Sequence, residues 1–65
     1  MKLIDLVSVY HDTVVIYEAI DMENALFNDL YIGDGDGIFT ELLECEVGEF
    51  WASKENVINI RIEKN

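Results

Sequence analysis

The 65 residues predict a single α+β domain: a small two-layer fold in which a four-stranded antiparallel sheet carries two short helices on one face, in the order α-β-β-α-β-β. Three observations carry that expectation. Val57 to Glu63 alternates strictly, with Ile58, Ile60 and Ile62 facing one way and Asn59, Arg61 and Glu63 the other. Leu3, Leu6, Val7 and Tyr10 recur at three- and four-residue intervals, which lays one helical face on a core. Gly33-Asp34-Gly35-Asp36-Gly37 is the strongest break in the chain and divides it into two halves, each with one helical and two strand-like segments.

The elements follow in order. Helical spacing opens the chain and ends at His11, Asp12 and Thr13, after which Thr13 to Ile20 reads as strand because Val14, Val15, Ile16 and Tyr17 are β-branched or aromatic. Asp21 to Asn24 is a polar turn. Ala25 to Ile32 then alternates, Leu26, Asn28, Leu30 and Ile32 against Ala25, Phe27, Asp29 and Tyr31, as a second strand hairpinned to the first; a helix over Met22 to Leu30 is the competing assignment. Beyond the glycine run, Ile38, Phe39, Leu42 and Leu43 stand at helical spacing within Ile38 to Cys45, with Asp36 or Thr40 placed to cap that helix. Val47, Phe50 and Trp51 make a third strand, Ser53 to Asn56 a turn, and Val57 to Glu63 the fourth strand.

The opening Met1-Lys2-Leu3-Ile4-Asp5-Leu6, followed by Thr13-Val14-Val15-Ile16 in this order of elements, resembles short acidic orphan proteins of phages and mobile elements of Firmicutes. That group shares no common activity. The resemblance implies a bacterial or phage-infected cytoplasm and an accessory role.

Composition narrows the function. Fourteen acidic residues stand against four basic ones, a formal charge of −10. Affinity for phosphate depends on Lys and Arg displacing counterions, and only Lys2, Lys54, Arg61 and Lys64 are present, so neither nucleic acid nor an anionic membrane is an expected partner. A basic protein surface is. Half the chain is apolar, which separates it from disordered acidic tails. No signal core or membrane-length apolar run is present, so the expected compartment is the cytoplasm. The single cysteine, Cys45, cannot close an intramolecular disulfide and lies between Glu44 and Glu46, surroundings unlike those of reactive thiols.

No catalytic constellation is visible, and the chain is expected to be non-enzymatic and free of cofactors. His11 has Asp12 beside it but neither a nucleophile nor a second ligand in pattern. The glycine run fails as a calcium loop: with Asp34 and Asp36 at the third and fifth positions, the first falls on Ile32 and the twelfth on Leu43, so two essential ligands are missing. It also lacks the Lys and Ser or Thr of a phosphate-binding loop.

Two features remain. Glu41, Glu44, Glu46 and Glu49 straddle the second helix and third strand at spacings of about 5–6 Å on a helix and about 7 Å on a strand, an acidic ridge that can imitate a phosphate backbone. Val14 to Tyr17 and Phe50-Trp51 place large apolar groups on both faces of a sheet that two helices can cover on only one side, so Phe50 or Trp51 is expected to face outward as an anchor. Together they predict an acidic inhibitor that blocks a basic surface of a host protein, such as a nucleic-acid-binding one, by charge mimicry. The alternatives are a homodimer through the sheet face, with the charge serving solubility, or a small-ligand sponge.

Overall fold

The structure is a computed structural model that describes residues 1–63. It contains α1 (Leu3–Val7), β1 (Thr13–Glu18), β2 (Phe27–Leu30), α2 (Thr40–Leu43), β3 (Glu46–Lys54) and β4 (Val57–Glu63), an α+β domain in the expected order. Both helices are short. Asp5 reaches back 3.1 Å to the backbone N–H of Lys2 at the start of α1, and Ser8 closes its end by donating backbone N–H and Oγ to the carbonyls of Ile4 and Asp5.

The expectation of a purely antiparallel sheet is corrected. The strands lie in the order β2-β1-β4-β3; each hairpin is antiparallel, but the central pair, β1 and β4, runs parallel with Val14 opposite Ile58 and Ile16 opposite Ile60. The reason is burial. β1 and β4 are the most apolar strands and take the centre, while the polar β2 and β3 become edges. Two antiparallel hairpins joined through strands that run the same way require a long crossover, and residues 31–45, carrying α2, provide it.

Val14, Ile16, Ile58, Ile60 and Ile62 face the helices and pack with Leu3, Leu6, Val7, Ile38 and Leu42. Tyr31 joins them, fully buried, with its ring stacked on His11 at 5.6 Å. β2 keeps the expected alternation, with Phe27 and Asp29 on the helix side and Asn28 and Leu30 on the other, and the helical assignment for Met22 to Leu30 is not adopted. The turn after β1 is fixed by the Asp21 carboxylate, which accepts from the N–H groups of Glu23 and Asn24 and from the Asn24 amide; those bonds, the amide first, hold Asp21 below the usual carboxylate range.

Five sequence expectations shrink: α1 stops at Val7, short of Tyr10, and β2 covers only Phe27–Leu30 within the expected Ala25 to Ile32. β1 ends at Glu18, not Ile20. α2 is a single turn, and neither Asp36 nor Thr40 caps it: Phe39 occupies the N-cap position with no side-chain cap bond. The turn before β4 is reduced to Glu55 and Asn56, because β3 runs on to Lys54. The glycine run folds as successive tight turns, Asp36 N–H to Gly33 O and Ile38 N–H to Gly35 O, with Gly33 at φ 109° and Gly35 at φ 81°.

That geometry makes a prediction. A Cβ on Gly35 meets Leu43 Cδ2 at 3.0 Å, whereas one on Gly33 meets nothing within 4 Å. Gly33→Ala is expected to cost about 1–2 kcal/mol from backbone strain alone. Gly35→Ala is expected to cost more, because the Leu43 side chain must also move. Urea melts of the two variants measure the difference, and equal losses would mean that the Leu43 contact is immaterial.

Candidate functional site: the edge strand and the open sheet face

β3 is an edge strand nine residues long, and apart from half-buried Val47 its side chains are exposed. Among the described residues its outer side is met only at the beginning, where Val47 N–H donates to Met1 O and Glu46 bridges Lys2. Irregularities at Gly48 and Ser53 interrupt the register with β4 and bracket a regular stretch, Glu49 to Ala52. A Cβ at Gly48 would come within 2.6 Å of Glu63 Oε1 and 2.9 Å of the Arg61 guanidinium, the far ends of two flexible side chains that can shift to make room.

Phe50 and Trp51 occupy opposite faces of this strand, and both are accessible. Phe50 is opposite Ile60, on the helix side, yet 49% exposed because the helices do not extend over the outer half of β3. With Tyr10, Ala52, Lys54 and Ile58 it borders a groove of ≈ 280 Å³. Burial, and then the charge of Asp12, push the Tyr10 phenol above its ordinary value, so it stays neutral at the groove wall.

Trp51 lies on the face that no helix covers, 38% exposed and stacked on Tyr17 with ring centroids 6.3 Å apart and planes 13° from parallel. Tyr17 comes from β1, so the stack spans β4 and shelters Asn59 and Val15 below it. Both are buried although they face away from the helices. Sequence periodicity placed Trp51 near this face but could not show Tyr17 reaching it, because β1 and β3 are not neighbours.

Asn59 is 6% exposed and its Nδ2 has no hydrogen-bond partner. An amide desolvated without a partner is costly, so Asn59→Leu, nearly the same shape, is expected to stabilise the domain by about 1–2 kcal/mol. Thermal melts check this. A lower Tm for the variant would mean that the amide is satisfied and structural.

The four ridge carboxylates are exposed, and three of them are already paired. Glu44 holds Lys2 Nζ at 2.9 Å, Glu46 the amino terminus of Met1 at 3.0 Å, and Glu49 the Arg61 guanidinium at 3.3 Å; Arg61 also reaches Glu63 at 3.5 Å. Glu41, on α2, has no ion pair with a described residue. The Lys2 ammonium is held above its ordinary value chiefly by the Glu44 hydrogen bond and charge, so the ammonium stays charged at neutral pH and at the alkaline end the pairing is lost as pH rises through that elevated pKa. The ridge therefore exists as a set of positions, while three of its four charges already face cations.

Most of the remaining acid lies toward the other edge of the sheet; Asp5 on α1 and Glu55 in the turn between β3 and β4 are the exceptions. Asp12, Glu18, Asp21, Glu23, Asp29, Asp34 and Asp36 belong to the loops and strands around the β1–β2 hairpin and the glycine run, and none pairs with a described cation. Charge is thus polarised across the domain, near balance along β3 and strongly negative toward β2. Among the described residues no three His, Cys, Asp or Glu side chains converge as a metal site, and no helix is long and apolar enough to cross a membrane. Cys45 is half-buried and donates its Sγ to Glu41 O at 3.4 Å.

Fold and surface together define a small α+β domain with one helix-covered face, one open aromatic face and a free edge strand. The chain matches no protein-family model, no curated protein and no solved structure.

Proposed function

We propose that this is a non-enzymatic acidic binding protein that occupies a basic surface of a partner protein. In the setting that the resemblance implies, it is a phage or mobile-element accessory protein that blocks a host protein, and a nucleic-acid-binding cleft is the kind of basic surface such an inhibitor imitates a ligand to reach. The observation that carries the reading is Trp51, stacked on Tyr17 and exposed on the open face of a chain with net charge −10. An exposed indole is a seat for an Arg or Lys side chain, which gains cation–π attraction from the ring. The unpaired acid around β2 supplies the longer-range field that draws a basic surface in.

Affinity capture with tagged protein, washed first at low and then at high salt, tests this. The expected result is one basic protein released by salt. Retention of nothing but the bait would overturn the reading. A second reading, self-association with the acid serving solubility, is favoured by the exposed Leu30 and Trp51 and the half-buried Tyr17 on the open face; it predicts a dimer with no other partner.

A further inference from the structure

We propose that a second copy of this chain docks on the outer edge of β3, joining the two four-stranded sheets into one sheet of eight strands. This goes beyond the partner reading, which uses the open face. It also differs from a dimer made through that face. Three observations support it. Among the described residues nothing meets the outer side of β3 beyond Val47, and a sheet edge with unpaired backbone groups is a template for another strand. A groove of ≈ 280 Å³ opens at that edge on the helix side, with Phe50 beside it. The edge is also the part of the surface where charge comes closest to balance: Met1, Lys2 and Arg61 are paired with carboxylates there, Lys54 adjoins Glu55, and most of the unpaired acid lies toward β2.

Two-fold symmetry fixes the register. An antiparallel β3–β3 pair whose axis is perpendicular to the sheet keeps the helices of both copies on one side, so facing residues must share a sheet face. Centring it on Trp51 sets Phe50 of each copy opposite Ala52 of the other, where the ring enters the groove between Tyr10 and Ile58. On the open face it brings Glu49 of one copy alongside Lys54 of the other, and Lys54 has no ion pair with a described residue. The irregularities at Gly48 and Ser53 end the pairing on both sides, which confines it to a short segment. The heavily acidic β2 edges become the two distant ends of the joint sheet, and the two Trp51–Tyr17 stacks become neighbours on its open face.

Electrostatics gives the association a signature. Two bodies of charge −10 repel, and salt screens that repulsion over a Debye length of about 8 Å at physiological strength. Self-association must therefore strengthen with salt, the reverse of capture of a basic partner, so the two proposals fail separately. Sedimentation equilibrium of wild type, Phe50→Lys and Leu30→Lys at about 20 mM and about 0.5 M salt is the test. Both substituted residues are exposed, and circular dichroism checks that both variants fold. The expected result is a wild-type dimer tightened on the order of tenfold by salt, a monomeric Phe50→Lys and a dimeric Leu30→Lys. A wild-type monomer at all concentrations up to about 1 mM would overturn the proposal, as would a Phe50→Lys variant that still dimerises. Loss of the dimer in Leu30→Lys would assign it to the open face instead.

Discussion

Ile60→Ala is expected to lower the melting temperature by about 10–30 °C, enough to leave much of the chain unfolded at physiological temperature. Ile60 is fully buried at the middle of β4, opposite Ile16 on β1 and Phe50 on β3. Its side chain belongs to the row that joins the two hairpins, and β1 and β4 share no local turn that could hold them together once this row is weakened. Truncating a buried isoleucine costs about 2–5 kcal/mol, because the neighbours collapse only partly into the space left. A domain of this length is stabilised by only about 3–10 kcal/mol in total. Ile32→Ala, at an exposed isoleucine, serves as the control and is expected to stay within about 0.5 kcal/mol of wild type. A loss below about 1 kcal/mol for Ile60→Ala would contradict the central placement of β4.

How far the chain discloses such facts varies by element. Val57 to Glu63 is legible to the residue, because alternation at period two reports which side chains share a face, and Ile58, Ile60 and Ile62 indeed form the buried row. The alternation through β2 is legible for the same reason. Periodicity says nothing of which strand lies beside which, however. The parallel pairing of β1 with β4 depends on the path of residues 31–45, where the glycine turns and a single helical turn leave no repeating pattern. α2 was overestimated because Phe39 and Leu43 occupy helical spacing, while Phe39 is exposed and makes no use of it.

The candidate site divides in the same way. Outward placement of an aromatic on β3 follows from two adjacent large residues on one strand, but both Phe50 and Trp51 turn out to be exposed, because β3 is an edge and the helices are short. The acidic ridge is correctly located along the chain. Its neutralisation is not visible there, since Lys2 and Met1 lie more than forty residues from Glu44 and Glu46 and meet them through the pairing of the first two residues with the start of β3. Carboxylate spacing reports geometry, whereas the charge available to a partner depends on which cations the fold delivers. Here it moves the weight of the acid to the opposite edge.

Trp51→Ala is expected to weaken capture of the basic partner by roughly 30-fold or more, about 2 kcal/mol or above, the scale of an aromatic hot spot. The loss has two sources that must be separated. Trp51 offers its outer ring face to the partner and its inner face to Tyr17, so removing it also gives up a stacking contact of about 0.5–1.5 kcal/mol within the free protein. Tyr17→Ala removes the same contact from the other side and leaves the indole in place. If Trp51 acts as the anchor, Tyr17→Ala matches Trp51→Ala in stability loss but retains most of the affinity. Trp51→Phe supplies a third point: the ring remains but its attraction for a cation is weaker, so affinity should fall between wild type and alanine while stability is nearly kept. Equal affinity losses in Trp51→Ala and Tyr17→Ala would mean that the stack acts only by supporting the sheet. Unchanged affinity in Trp51→Ala, with salt-sensitive binding intact, would move the contact to the acidic β2 side, where Glu18, Asp21, Glu23 and Asp29 are the carboxylates to reverse next.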